Sequence, residues 1–198
     1  IIYSIMLRTI GSILSYFFHP MVISTFTFWF IIYQTAISID KPNFIFFLSF
    51  FFSTLLPIVN VLYLKSQGLI TDIDASNRKE RLLPIAFGAL FFLIGFITLR
   101  QLNSPMIIQG IMFCNLINTI LVWLITKYWK VSIHTLSIAS AITIFWILGY
   151  KYVIMMFLML ALTTISRTLT NSHTLSQSIV GIIIGIVSTY SQLVLLFL

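Results

Sequence analysis

SRTLTNSH, residues 166–173, is a polar island between two long apolar runs near the C-terminus. It places Arg167 at the end of one apolar segment and His173 at the start of the next. A guanidinium suits an oxyanion such as phosphate, and an imidazole acts as a nucleophile or a proton carrier. The pattern therefore indicates a phosphate site embedded in a membrane. The plainer interpretation is that Arg167 snorkels to the interface and His173 caps a helix.

The composition around this island excludes a soluble globular fold. Of the 198 residues, 60% are hydrophobic and 8% are charged, and the mean hydropathy is +1.09. The apolar runs are continuous rather than alternating, which is typical of helices and not of a barrel. We predict an all-α integral membrane bundle of six to seven transmembrane helices, a multi-pass protein of the cell or cytoplasmic membrane. A single domain, residues 1–198, is expected.

Seven apolar runs are expected to form the helices. They cover about residues 11–34, 43–64, 82–99, 105–126, 134–150, 151–165 and 174–198. His19 and Pro20 interrupt the first run, which favours a proline kink with a histidine satisfied by its neighbours. Gly181 and Gly185 form a small-xxx-small pair that permits close helix approach.

Polar residues inside the runs have a structural interpretation. Asn115 and Asn118 are three apart, so they share a helix face and are expected to hydrogen-bond to neighbouring helices. Residues 127–130, Lys-Tyr-Trp-Lys, are typical of a helix end at the membrane interface. Cys114 lies in an apolar run, so neither a disulfide framework nor a cysteine metal site is expected.

The longest polar stretch, residues 65–81, contains seven of the 15 charged side chains. A solvated interhelical loop is the first interpretation of such a run. Arg81, however, directly precedes the third apolar run, with Pro84 in its first turn. That order predicts a guanidinium beside a helix N-terminus at the membrane surface, which favours an anion. The net charge of +7 also favours anionic head groups or substrates, and nucleic acid is not expected without a soluble domain.

Counting the turns places three distant polar sites at one membrane face. The loops after the second, fourth and sixth runs lie on the same side of a seven-helix bundle. They hold Arg81, His134, and Arg167 with His173. We therefore expect these four side chains to share one pocket.

The spacing of these residues resembles the signatures of the type 2 phosphatidic acid phosphatase (PAP2) superfamily. The third signature, Ser-Arg-x5-His-x3-Asp, is matched by Ser166, Arg167 and His173, with Gln177 where the family has aspartate. The second, Pro-Ser-Gly-His, is matched at residues 131–134, where Ser132 and His134 are kept and the proline and glycine are replaced.

The first signature, Lys-x6-Arg-Pro, is matched least. Arg81 has its proline at Pro84 instead of next door, and Asp74 stands where the family has lysine. Lys79 or Arg78 is available to replace that lysine. The resemblance covers roughly residues 65–185.

The resemblance implies a phosphatase acting on a phosphorylated or diphosphorylated lipid, such as phosphatidate or undecaprenyl pyrophosphate. By the family's roles, His173 attacks phosphorus and His134 protonates the leaving oxygen. Gln177 fixes the tautomer of His173, although an amide lacks the charge that stabilises an imidazolium. The phosphate oxygens are held by Arg81, Lys79, Arg167, Ser132 and Ser166. No metal or other cofactor is implied, and the oligomeric state stays open.

Two other functions remain open. The first is a noncatalytic lipid-phosphate binder or transporter on a degenerate site, favoured by the missing aspartate and glycine. The second is a membrane prenyltransferase, because Asp72 and Asp74, followed by Asn77, Arg78 and Arg81, are similar to the aspartate-rich loop of the UbiA-like family. That family needs two such aspartate clusters, and this chain has four acidic residues in total.

Overall fold

The computed structural model describes residues 2–73, 75 and 77–198, and this part of the chain is helical, without strands. Its helices are α1 Ile2–Phe17, α2 Pro20–Gln34, α3 Pro42–Phe50, α4 Leu56–Ser66, α5 Leu82–Gln101, α6 Met106–Thr126, α7 Ile133–Ile147, α8 Val153–Leu169 and α9 Leu175–Leu196. The predicted all-α class is confirmed.

Five helical segments of the described chain are long and apolar enough to cross a membrane. They are Met6–Gln34, Pro42–Ser66, Leu82–Gln101, Met106–Thr126 and Leu175–Leu196. The apolar helices α7 and α8 are shorter. All seven apolar runs of the sequence are thus helical, and the protein is a multi-pass helical membrane protein.

Prolines mark the two irregularities within the first two segments. The first segment breaks between α1 and α2, where His19 Nδ1 accepts the backbone N–H of Met21 at 3.3 Å. The expected kink, with a histidine satisfied by its neighbours, is confirmed. The second segment contains a π-helical turn, Phe51–Leu55, two residues before the buried Pro57. Pro57 lacks an N–H and its ring crowds the preceding turn, and the wider π turn relieves both effects.

The chain forms two compact units. Unit 1 comprises the residues up to Ile23 and Lys130–Tyr190, and unit 2 comprises Ser24–Trp129 and Ser191–Leu198. The predicted single domain stays a prediction.

In unit 1, glycines let helices approach closely. A Cβ atom on Gly181 would lie 2.5 Å from Thr135 Oγ1, and one on Gly185 would lie 2.6 Å from the carbonyl oxygen of Leu136. A side chain at either position would collide with α7, so the predicted close approach is confirmed. Elsewhere in the unit, a Cβ on Gly11 of α1 would be 3.1 Å from the Leu169 Cβ of α8.

In unit 2, amides join helices across the apolar interior. Asn115 Nδ2 donates to Ser24 Oγ at 3.4 Å, and Gln192 Nε2 donates to Asn118 Oδ1 at 3.4 Å. The expectation that Asn115 and Asn118 bond to neighbouring helices is confirmed. Such bonds keep polar atoms satisfied where lipid offers no partner.

Candidate functional site

An open cleft of about 460 Å³ lies in unit 1, where the α8–α9 loop meets the chain entering α7. Its walls carry polar side chains from the loop and from the start of α9, together with one lysine that precedes α7. The lining residues are Lys130, Thr168, Asn171, Ser172, His173, Thr174 and Gln177. His173, the predicted nucleophile, lines this cleft, while the residue as a whole is 5% exposed and its Nε2 atom is buried.

The loop that carries His173 begins with a regular helix ending. Asn171, just past the end of α8, has a φ of 53°, in the left-handed region that asparagine tolerates better than most side chains. The N–H of Asn171 then donates to the Thr168 carbonyl at 3.0 Å, and the N–H of Ser172 donates to the Arg167 carbonyl at 3.1 Å. These two bonds form a Schellman motif, which turns the chain sharply toward α9.

The loop ends with a capping box at the N-terminus of α9. Thr174 Oγ1 accepts the N–H of Gln177 at 3.3 Å, while Gln177 Oε1 accepts the N–H of Thr174 at 3.2 Å. The sequence Thr-x-x-Gln is a known signature of this motif. Gln177 is thus held in place by the helix start, independently of any ligand.

The same amide determines which ring nitrogen of His173 carries the proton. Gln177 Oε1 lies 3.0 Å from His173 Nδ1. A backbone N–H can only donate, so the amide oxygen, rather than its nitrogen, must face Thr174. That oxygen can only accept, so Nδ1 of His173 is the donor. In neutral His173 the lone pair is therefore on Nε2, the nitrogen required for attack on phosphorus.

Lys130 is a cleft residue that sequence reasoning missed. Its Nζ donates to the carbonyl of Ser172 at 2.8 Å, next to His173 in the chain. From the sequence, Lys130 is expected to belong to an interfacial belt. The available signal was its position two residues before Ser132, in the motif that carries His134.

Arg167 and His134 belong to a buried cluster in the same unit. Arg167 is 2% exposed and His134 is 5% exposed. A guanidinium nitrogen of Arg167 donates to Ser15 Oγ, and Ser15 Oγ lies 3.4 Å from His134 Nε2. The ring of His19 packs edge-on against His134, with 5.3 Å between the centroids. Among the described residues that line the cleft, neither Arg167 nor His134 is present.

Ser132 and Ser166, two predicted phosphate ligands, have structural hydrogen bonds. Ser132 caps α7, where its Oγ accepts the N–H of Thr135 at 3.4 Å, and this role leaves the hydroxyl proton for another acceptor. Ser166 Oγ donates to the Gly11 carbonyl at 2.7 Å and so uses its single proton. A phosphate contact donated by Ser166 would require that bond to break.

Arg81 and Lys79, the remaining predicted phosphate ligands, lie in unit 2. Arg81 is 5% exposed, and its Nε donates to the Ala75 carbonyl at 3.0 Å, whereas Lys79 is exposed. Arg78 donates to the Thr126 carbonyl at 3.2 Å, so its side chain braces the end of α6. The pocket that Arg81 was expected to share with the histidines stays a prediction, and Asp74 lies outside the described residues.

Charge is distributed unequally between the sequences of the two units. The four acidic residues, Asp40, Asp72, Asp74 and Glu80, all belong to unit 2. The basic residues of unit 1 are Arg8, Lys130, Lys151 and Arg167. Unit 1 therefore has a positive charge and suits an anionic ligand. In the described part of the chain, no three histidine, cysteine or carboxylate side chains group to hold a metal ion.

Comparisons with protein-family models, curated proteins and solved structures found no match to this chain. The likeness to PAP2 phosphatases therefore depends on the spacing of a few residues. In the structure, the residues that match the second and third PAP2 motifs meet in unit 1, where the N–H of Ser132 donates to the carbonyl of Gln177 at 3.2 Å.

Proposed function

We propose that the protein is a membrane lipid-phosphate phosphatase, which removes phosphate from a phosphorylated or diphosphorylated lipid through a phospho-histidine intermediate on His173. The observation that carries this proposal is the state of His173 in the open cleft. Its Nδ1 is bonded to Gln177 Oε1 at 3.0 Å, so its Nε2 has the lone pair.

The proposed reaction has two steps. Nε2 of His173 attacks phosphorus, and a P–N bond forms as the P–O bond to the lipid breaks. The leaving oxygen takes a proton from His134, the role that the PAP2 resemblance implies for that residue. Water then attacks the phospho-histidine, its proton returns to His134, and inorganic phosphate leaves as the P–N bond breaks.

Positive charge at the cleft supports binding of the phosphoryl group. Lys130 lines the cleft. The N-terminus of α9, with the backbone N–H groups of its first turn, lies beside Thr174 and Gln177, which also line the cleft. Arg167 is buried and precedes His173 by six residues in the sequence. It adds a guanidinium to a unit whose sequence contains no acidic residue. Together these groups stabilise negative charge during transfer.

A lipid is the substrate class that best fits the surroundings of the cleft. The cleft lies where apolar helices α8 and α9 end and begin, and many of their side chains are exposed, including Ile154, Phe157 and Ile183. An acyl or prenyl chain can remain in the bilayer beside these helices while its phosphate enters the cleft.

A noncatalytic lipid-phosphate binder is the second candidate, and Gln177 is the observation that favours it. An amide orients His173 but cannot neutralise an imidazolium or a phospho-imidazole, and its oxygen already serves the capping box. The same cradle with slow or absent turnover would hold and release a phosphorylated lipid unchanged.

The deciding experiment is phosphate release by the purified protein from a panel of lipid phosphates and diphosphates, with a search for a phosphoenzyme. We expect release to be accompanied by an acid-labile, alkali-stable phosphoryl group on His173. Tight, saturable binding of the same lipids without any release would instead establish the binder. Absence of both binding and release would refute the phosphate site itself.

A further inference from the structure

We propose that Ser15 of α1 is a positioning residue for the phosphate site, because its hydroxyl group joins Arg167 to His134. This inference rests on the proposed function and extends it to a helix outside all three PAP2-like motifs. The cluster brings together residues 152 positions apart, Ser15 and Arg167, and residues 119 positions apart, Ser15 and His134.

The number of protons at Ser15 determines how it connects its partners. A guanidinium only donates, so Ser15 Oγ accepts from Arg167. Ser15 has one hydroxyl proton, and His134 Nε2 lies 3.4 Å away. That proton can be donated to Nε2 when His134 is neutral. Once His134 is protonated, Nε2 becomes the donor and Ser15 Oγ accepts from both cations.

Ser15 therefore fits both protonation states that a proton donor such as His134 must pass through. In each state it keeps the imidazole and the guanidinium attached to one oxygen atom. An alanine offers neither a donor nor an acceptor, and the two cationic groups would then be oriented independently. Loss of a hydrogen bond to a charged group costs about 1.5–3 kcal/mol, equivalent to roughly ten- to hundredfold.

The packing of α1 against α8 holds Ser15 in this position. Gly11 lies one helical turn before Ser15, on the same face of α1. Its carbonyl accepts from Ser166 Oγ at 2.7 Å, and its missing side chain lets α8 approach. Ser15 and Gly11 thus face neighbouring residues of α8, Arg167 and Ser166.

His19 restrains the orientation of the His134 ring by packing against it. Its Nδ1 accepts the N–H of Met21, which fixes the orientation of the His19 ring at the start of α2. That ring meets His134 nearly perpendicularly, at 88°. Ser15 and His19 thus restrain the imidazole through its Nε2 atom and through its ring, while Arg167 is the charged group linked to it through Ser15.

A purely structural serine is the alternative, in which the hydroxyl only helps α1 adhere to α8. The two roles differ in their coupling to Arg167. A positioning role predicts that removal of Ser15 matters mainly while Arg167 is present. A structural role predicts loss of thermal stability that is the same in either background.

The test compares Ser15→Ala, Ser15→Cys and Ser15→Thr with Ser12→Ala, an exposed serine of the same helix. The full-length purified protein is titrated with vanadate, and kcat and KM are measured with a lipid phosphate. We expect Ser15→Ala and Ser15→Cys to weaken vanadate binding about tenfold and to lower kcat, while Ser15→Thr, which keeps the hydroxyl, retains most of both. In an Arg167→Ala background, Ser15→Ala should add less than a twofold loss of binding.

The controls separate this inference from the proposed function. Ser15→Cys keeps the side-chain volume, so it carries the test if Ser15→Ala fails to fold. Unchanged vanadate binding and kcat in Ser15→Cys, or equal losses with and without Arg167, would overturn the role of Ser15 alone. A wild-type protein that neither binds vanadate nor releases phosphate would overturn the proposed function, and this inference with it.

Discussion

The polar loops of the two units differ in their charge and in what their side chains contact. The loop of unit 2, residues 65–81, is densely charged, and its described side chains are engaged largely with its own backbone and neighbours. Arg81 donates to the Ala75 carbonyl, and Glu80 accepts from Thr71. The loop of unit 1, residues 170–174, contains no acid or lysine, yet its His173 lines an open cleft. Charge density alone therefore does not locate the candidate site.

Hydrogen-bond chemistry explains the contrast. In the loop of unit 2, the backbone N–H and hydroxyl of Thr71 donate to the Glu80 carboxylate at 2.7 and 2.9 Å. These bonds hold the pKa of Glu80 below its usual value. In the loop of unit 1, the backbone bonds close a Schellman motif and a capping box, and they orient an imidazole. One loop stabilises its own fold, whereas the other orients the imidazole of His173 at the cleft.

The largest effect is expected for His173→Ala. Loss of the nucleophile should reduce phosphate release by a factor of at least about 10³ and abolish the phosphoenzyme. Ser176→Ala, at an exposed position near the start of α9, is the control for damage to the helix start. Phosphate release that survives His173→Ala in a folded protein would show that the loop of unit 1 is not the reactive one.

A smaller effect is expected at the lysine of the cleft. Lys130→Ala should weaken vanadate binding about tenfold, because it removes the cation that lines the cleft. Lys127→Ala is the matched control, since Lys127 is exposed and lies 3.7 Å above the ring of Trp123. Vanadate titration of both variants at one ionic strength compares their affinities. Equal weakening by the two changes would indicate a diffuse field rather than a site.

Gln177 offers a test of whether the amide limits turnover. Gln177→Asp supplies a carboxylate, and Gln177→Glu supplies one with the reach of the native side chain, so it also preserves the capping box. We expect turnover to rise roughly three- to tenfold in Gln177→Glu and less in Gln177→Asp, because a carboxylate stabilises the imidazolium. Measured kcat values check the order. Turnover that falls in both variants would mean that the pocket is adapted to an amide.

Local sequence signals predicted most of the fold. The continuous apolar runs predicted the helices, and Gly181 and Gly185 predicted that the last helix approaches another helix closely, because these properties depend on neighbouring residues. The two motifs that shape the loop of unit 1 were readable as well, from Asn171 and from Thr174 with Gln177.

The long-range contacts were not predictable in the same way. Ser15 and His19 have no motif of their own, and their proximity to His134 follows from the packing of α1 in unit 1. The contact of Lys130 with Ser172 depends on the turn between α8 and α9, which the residues next to Lys130 in the sequence do not specify. Hydropathy assigns residues to helices, but it does not specify which helices become neighbours.

The smallest effect is expected for Arg78→Ala in the loop of unit 2. Arg78 donates to the carbonyls of Thr126 and Lys127, two acceptors that the end of α6 leaves without helical partners. Its loss should reduce the free energy of unfolding by about 1–2 kcal/mol, because carbonyls near the surface regain water as a partner. Thermal or denaturant unfolding in detergent measures this change. Phosphate turnover should stay within twofold of wild type, and a large loss of turnover in a stable Arg78→Ala protein would instead give Arg78 the place of the lysine in the first PAP2-like motif.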